Sequence, residues 1–480
     1  MTELHELSAV ALAAAIKSRK VSSREALAHL VGRVDRLDGP INSVVTSDLE
    51  VAFAAADRAD AALAGGAEVG PLHGVPITVK DSYTTAGMRT TSGAPELAEH
   101  VPDEDAWPVA ALRRAGAVVW GKTNLPIYAG DMQSYNEVFG TTHNPWDLER
   151  TPGGSSGGSA AALSARFTPL EVGSDIGGSI RLPAHMSGVY GHKPSYGIVP
   201  AHGQIPGPPG SLTQADLAVA GPMARTAEDL ELALSLMTGP DRWNSPAWRL
   251  ELPPARQTEL ERFRVAAWFE DPTCPLDPEV GTVLHGLADG LEAASCPVDR
   301  SARPGFDLAK AAERFFALLN AALSGGYPAA EIEQYALAEG DHPIALTKRQ
   351  TSMRHRQWLS HNESRLQLRR RFELFFERFD VLLLPVMPCV AFGHDHSTPM
   401  AGRTVTTEAG PRNYWELNRW MAPAGACYLP ATVVPVGLAA SGLPVGVQIV
   451  GPYLHDQTTL AFATALADLV GTCPVPPGFA

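Results

Sequence analysis

Two glycine-rich loops that carry serines, and a lysine upstream of both, hold the most chemistry in this sequence. Thr151-Pro-Gly-Gly-Ser-Ser-Gly-Gly-Ser159 and Ser174-Asp-Ile-Gly-Gly-Ser-Ile-Arg181 are almost entirely small residues, and Lys80 closes the β-branched run Ile77-Thr78-Val79. A serine hydroxyl is a weak nucleophile until a base takes its proton. Lysine serves as that base only when neutral, which needs burial or nearby positive charge. Glycines let backbone N–H groups converge on a developing oxyanion, and Ile176-Gly177-Gly178-Ser179 can supply several. Each feature alone has a plainer reading. A strand-end lysine is usually solvated or paired, and a glycine/serine run is usually a turn or linker. Linkers are polar on both sides, however, whereas these loops are embedded in apolar helix- and strand-forming sequence, as a packed functional loop is.

The elements that must position these residues read as follows. Residues 1–65 are expected to be helical. Ser8 caps a first amphipathic helix, Ser22-Ser23-Arg24-Glu25 is a capping box opening a helix to about Leu37, and Val51–Leu63 is alanine-rich. Gly74-Val75-Pro76 is a turn signal, and the run behind it predicts a buried strand ending on Lys80. A helix over Asp105–Ala115, a strand over Ala117–Trp120, a helix from Ala160 to Ala165 and a strand over Leu170–Gly173 follow. Residues 240–375 read as a helical insertion or cap, for example Asp307–Leu323, and 376–480 return to strands at Val381–Leu384 and Val445–Val450 with a last helix His455–Val470. The alternation implies an α/β fold with a mixed or parallel sheet. The expected organisation is a single domain over 1–480: N-terminal helices 1–65, a core 66–240, the insertion 240–375 and a C-terminal core 376–480.

Composition narrows the classes. The 480 residues are 45% hydrophobic and 19% charged, which permits a large core and argues against disorder. A formal net charge of −14 argues against nucleic acid and against an anionic membrane surface. The five cysteines are scattered and odd in number, without a CxxC, so neither a disulfide scaffold nor a zinc site is expected, and a cytoplasmic location fits. Glu3 and Glu6 sit where a signal peptide would be basic, and the apolar run Val381–Phe392 is too short to span a bilayer. His394-Asp395-His396 resembles a fragment of a metal site, but without a third ligand it reads as surface.

Taken together, Pro152-Gly-Gly-Ser-Ser-Gly-Gly-Ser-Ala-Ala-Ala162, Gly173-Ser-Asp-Ile-Gly-Gly-Ser-Ile-Arg-Leu-Pro183 and Gly188-Val-Tyr-Gly-His-Lys-Pro-Ser195 resemble the amidase signature. Gly74–Asp81, Gly121–Asn124, Asn144–Trp146, Gly221–Arg225 and Gly442–Gly451 are similar to further blocks of that family, in order along most of the chain. The resemblance implies an α/β/α fold around a central mixed sheet. It also implies a Ser-Ser-Lys triad: Ser179 as nucleophile, Ser155 as bridging serine and Lys80 as base. In the family the peptide before the bridging serine, here Gly154–Ser155, is cis. Backbone N–H groups of Ile176, Gly177, Gly178 and Ser179 would hold the oxyanion, and Tyr128, Ala129, Gly130 and Asp131 align with a region lining the acyl site. Ser156 is expected to orient its loop, and Asp175 and Arg181 to pair rather than touch substrate. The implied activity is hydrolysis of carboxamides, with anilides, esters or carbamates also open. It needs no metal and no cofactor, and runs on a small-molecule amide in a monomer or homodimer.

Three alternatives stand beside this reading. Gly153-Gly-Ser-Ser-Gly157 formally matches the nucleophile elbow of α/β-hydrolase esterases, but Trp146–Pro152 before it is no strand. The A subunit of a tRNA-dependent amidotransferase (a glutaminase) shares the signature and works with other subunits. Against it, Ile205–Ser211 and Asp216–Ala220 resemble stand-alone amidases more. A non-catalytic, anion-binding nest is the third. Phe315, Phe316, Leu318, Tyr414, Trp415 and Trp420 suggest either an aryl pocket or core.

Overall fold

A computed structural model describes residues 3–205, 209–408 and 410–479. Pro206, Gly207 and Pro208, part of the Ile205–Ser211 stretch named above, lie outside the described residues. The N-terminal helices form where their caps predict. Ser8 accepts from the Ala11 N–H at the start of Ala9–Lys17. Ser22 and Glu25 exchange both bonds of a capping box, with the Ser22 N–H donating to Glu25 Oε2 at 2.8 Å and the Glu25 N–H to Ser22 Oγ at 3.1 Å, opening Ser23–Leu37.

The strands, in chain order, are β1 (Val44–Ser47), β2 (Pro76–Lys80), β3 (Val118–Thr123), β4 (Tyr135–Asn136), β5 (Gly140–Thr141), β6 (Leu170–Asp175), β7 (Tyr190–Lys193) and β8 (Val219–Ala224). They continue with β9 (Val265–Ala267), β10 (Val298–Asp299), β11 (Val381–Pro385), β12 (Thr404–Thr407), β13 (Gly410–Asn413), β14 (Ala431–Leu438) and β15 (Pro444–Val450). Eight of them form one mixed sheet in the order β10-β9-β11-β15-β14-β7-β8-β6. β9 runs parallel to β10 and β11, and the remaining pairs are antiparallel. A separate three-stranded sheet has the order β1-β3-β2, with β2 parallel to β3.

Helices cover the large sheet on both faces. Leu383, Val447 and Ile449 point into one cluster with Leu230, Leu284 and Leu460, while Leu382, Leu384 and Val450 point into another with Phe315, Leu318 and Phe372. This alternation of neighbours along β11 and β15 follows from the two-residue period of a strand.

Two expectations need correction. Residues 1–65 are not all helix, because Val44–Ser47 pairs antiparallel with β3. Its β-branched Val44-Val45-Thr46 run favours that pairing. Residues 240–375 are not only helical either. β9 and β10 within them extend the large sheet, and the helices Leu308–Leu323, Ala329–Tyr335, Pro343–Thr351 and His355–Phe375 come after. Among the described residues no helix is long and apolar enough to cross a membrane. The five cysteines are free, four of them buried.

Candidate active site

Lys80 is the last residue of β2, a strand buried at all five positions. Its side chain has no solvent exposure. The Nζ lies 2.6 Å from Ser155 Oγ, 2.9 Å from Ser174 Oγ and 3.0 Å from Ser156 Oγ. Burial pulls the Lys80 pKa from the ordinary 10.5 down to about 7, against the opposing pull of Asp175 and Glu171. That shift disfavours the ammonium by roughly 5 kcal/mol relative to the amine. Lys122 and Lys193 are also fully buried. Lys122 donates to the Tyr83 carbonyl, Thr85 Oγ1 and Thr90 Oγ1, and Lys193 to the Pro194 carbonyl. Lys80 is the one of the three that meets serine hydroxyls.

The bridging loop leads straight into the helix Gly157–Ser164. Thr151–Ser155 ahead of that helix is irregular, so the strand required by a nucleophile elbow is absent among the described residues. The Gly154–Ser155 peptide is cis. Gly154 has no room for a side chain: a Cβ there would come 2.7 Å from Asp131 O, Gln133 N and Met132 C. Ser156 ties the loop to its neighbours. Its N–H donates to the Ser179 carbonyl at 3.2 Å and its Oγ to the Ser174 carbonyl at 3.4 Å.

Ser179 lies in the turn between β6 and the helix Arg181–Ser187. Ile176, Gly177 and Ser179 are half-buried, unlike the sealed Lys80. Gly178 has φ +113, and a Cβ there would meet Met421 Sδ at 2.5 Å. Asp175 organises this turn by accepting from the Gly178 N–H at 2.9 Å and the Ile180 N–H at 3.2 Å. Burial pushes the Asp175 carboxyl upward, but Arg181 outweighs it and holds the pKa below the usual carboxylate value. Arg181 reaches on to the Met421 carbonyl at 2.9 Å and Gln448 Oε1 at 2.6 Å. The pair is therefore structural. The Gly178 N–H, one of four expected oxyanion donors, is already given to Asp175, which leaves Ile176, Gly177 and Ser179.

The expected acyl-site residues divide. Tyr128 and Ala129 take left-handed backbone angles, φ 51 and 57, and the Tyr128 hydroxyl donates to Glu96 Oε1. The Gly130 N–H closes that turn on the Ile127 carbonyl. Asp131 is only 5% exposed and paired with Arg403 at 2.7 Å, so its side chain is not open to substrate. Phe315, Leu318, Tyr414 and Trp420 are fully buried core, while Phe316 and Trp415 are partly buried. His394-Asp395-His396 lies at the surface, with His396 exposed and stacked on Tyr135 at 3.7 Å and His394 meeting the His143 edge at 4.9 Å. Elsewhere, Glu3, His5 and His29 bring potential ligand atoms within 4.8 Å of one another. Arg33 beside both histidines makes poor surroundings for a cation.

Sequence reasoning missed Ser174 and Glu171. Ser174 is the third hydroxyl on Lys80. Glu171 is buried without exposure, receives the Thr78 hydroxyl at 2.5 Å, and is pushed by burial up to about 7. Both lie on β6 and meet partners on β2, so their roles become readable only once those two strands are placed side by side.

A sealed lysine amine at the end of the three-stranded sheet thus lies within hydrogen-bond reach of three serine hydroxyls. The Amidase family model matches residues 25–460, and the chain belongs to that family. It is thus an amidase-signature enzyme, a hydrolase or amidotransferase of C–N bonds. The glutamyl-tRNA(Gln) amidotransferase A subunit of Cutibacterium acnes (strain DSM 16379 / KPA171202) is 32% identical over 500 residues, covering 98% of this chain and 96% of the relative. A bacterial aryl acylamidase of the amidase signature family superposes with TM-score 0.82 at 23% identity, over 98% of this chain and 97% of that one. A 6-aminohexanoate cyclic dimer hydrolase superposes with TM-score 0.80 at 25% identity, over 99% of both chains.

Proposed function

We propose that the protein cleaves a carboxamide C–N bond through an acyl-enzyme on Ser179, with Ser155 and Lys80 as the proton relay. The observation that carries this is the 2.6 Å contact between Lys80 Nζ and Ser155 Oγ, two side chains shut from solvent. A neutral amine has two N–H donors and one lone pair. Ser156 Oγ directs its own proton to the Ser174 carbonyl, so it accepts from Lys80. With the second N–H given to Ser174 Oγ, the nearest hydroxyl, Ser155, donates into the lone pair. Ser155 in turn accepts the proton of Ser179 as Ser179 Oγ bonds to the carbonyl carbon. The backbone N–H groups of Ile176, Gly177 and Ser179 hold the oxyanion. Collapse breaks the C–N bond while the relay returns a proton to the leaving amine. Water then attacks the acyl ester, frees the acid and restores Ser179. The relay uses no metal or organic cofactor.

The relative from Cutibacterium acnes, the A subunit of a glutamyl-tRNA(Gln) amidotransferase, favours the glutaminase reading, in which the chain works with other subunits. Its name also removes the force of the charge argument against RNA, since an acidic protein can serve a tRNA-dependent assembly without binding phosphate itself. A stand-alone amidohydrolase of the cytoplasm is the second reading. The stretches Ile205–Ser211 and Asp216–Ala220 favour it, and so does the likeness to the 6-aminohexanoate cyclic dimer hydrolase. The deciding experiment is a panel of glutamine, aliphatic amides, anilides and cyclic amides run beside Ser179→Ala. Turnover of glutamine alone supports the amidotransferase component. Turnover of simple amides without a partner supports the amidohydrolase. Activity surviving in Ser179→Ala rejects the shared mechanism.

A further inference from the structure

Both carboxylate oxygens of Asp131 are engaged. Oδ1 accepts from the Tyr414 hydroxyl at 2.5 Å and from the Met132 N–H at 2.6 Å, and Oδ2 accepts from Arg403 Nη1 at 2.7 Å. Arg403 is itself shut from solvent and spends its other nitrogens nearby, Nε on the Ser397 carbonyl at 2.6 Å and Nη2 on the Tyr135 hydroxyl at 2.8 Å. Next in the strip, Gln133 Nε2 donates to the Asp395 carbonyl at 2.7 Å and to the Tyr414 hydroxyl at 3.2 Å, and Gln133 Oε1 accepts from the Asp395 N–H at 3.0 Å. One side of residues 131–135 is therefore gripped by side chains and backbone from 395–414.

The other side cradles the bridging loop. Backbone atoms of 131–133 crowd Gly154 so closely that a Cβ would come within 2.7 Å of three of them. The Ser134 hydroxyl donates to the Gly153 carbonyl at 3.0 Å and accepts from the Gly157 N–H at 3.1 Å. Gly153 to Gly157 brackets Ser155. The contact leaves no slack, so a shift of the strip is passed to the loop.

We propose that Asp131, Arg403 and Tyr414 form a latch that sets the position of Ser155, as positioning residues rather than substrate contacts. The planar guanidinium suits this task, because its fixed N–H directions pin three partners at once where an ammonium would act as a point charge. The inference rests on the Ser179–Ser155–Lys80 reading. If that reading holds, loosening the latch slows chemistry at Ser179 and leaves ground-state binding of a substrate alone.

The test uses the full chain with a fluorophosphonate probe and 4-nitrophenyl acetate. Mass spectrometry first locates the label in the parent protein. A label absent from Ser179 overturns the underlying reading, separately from the latch. The charge-neutral double variant Asp131→Asn/Arg403→Gln is then expected to lower labelling rate and kcat by about tenfold or more, with KM within about twofold. Tyr414→Phe, which removes one hydroxyl from the core, keeps the test open if the double variant does not fold. It is expected to slow labelling about threefold or more through the loss of its hydrogen bond to Asp131. A rise in KM with kcat kept marks substrate contact and overturns the proposal. So does labelling of Tyr414→Phe within about twofold of the parent rate.

Discussion

Arg181 grips Asp175 with two nitrogens, Nε to Oδ2 at 3.0 Å and Nη2 to Oδ1 at 2.9 Å, and neither side chain reaches solvent. Because Asp175 also holds the Gly178 and Ile180 N–H groups, the pair fixes the turn on which Ser179 sits. Breaking one partner of a buried pair leaves the other charge uncompensated. Arg181→Met is therefore expected to cost about 3–5 kcal/mol of folding stability. Denaturant unfolding checks this, and a loss below about 1 kcal/mol would mean that the pair does not hold the turn.

Two neighbouring glycines should respond differently to alanine. At Gly178 the backbone is left-handed and Met421 occupies the Cβ position, whereas at Gly177 a Cβ meets only Leu319 Cδ2 at 3.5 Å. Gly178→Ala is expected to lose kcat/KM by roughly a hundredfold or more, and Gly177→Ala to stay within about threefold. Steady-state kinetics on both proteins decide it; equal losses would contradict a conformational cause.

The rate should depend on pH through Lys80. Only the neutral amine can accept the proton, and its pKa is held at about 7 by burial against the pull of Asp175 and Glu171. Activity is expected to climb from the acid side through about pH 7 and then level off. A profile with its maximum on the acid side of this limb would exclude a lysine base.

Glu171→Gln tests the same assignment from the other direction. Glu171, after Asp175, raises the Lys80 pKa to the extent that it is ionised, and its own pKa is pushed up to about 7, so removing it should move the acid limb slightly to lower pH. A limb moving to higher pH would show that Glu171 is not facing Lys80 as a charge. An unmoved limb with intact folding would show that Glu171 already carries its proton across the limb.

Much of the site is legible in sequence because its residues are unusual locally. Lys80 ends a β-branched run, and Ser155 and Ser179 sit in glycine-rich loops flanked by apolar segments, so each announces a packed turn. Caps are legible for the same reason: Ser8, Ser22 and Asp307 bond the first turns of the helices they precede. Strands with breaker residues are not. β8 contains Gly221-Pro222, and β14 contains Pro435 with a register shift before Gly437, so neither shows an uninterrupted strand pattern. β9 is only three residues long and takes its identity from β11 beside it. The role of Asp131 is hidden because Arg403 is far away in sequence, and nothing local tells a substrate carboxylate from one already paired.

Lys80 and the Ser174–Ser179 segment come from different sheets, the first from the end of the three-stranded one and the second from the outer strand of the eight-stranded one. Thr78, through its N–H to Thr168 and its hydroxyl to Glu171, and Tyr83, through its hydroxyl to the Gly173 carbonyl, stitch that seam. The proposed proton relay would thus report on docking between two bodies of β-structure. During unfolding, turnover should vanish as soon as the stitches part, while each sheet still contributes its full ellipticity.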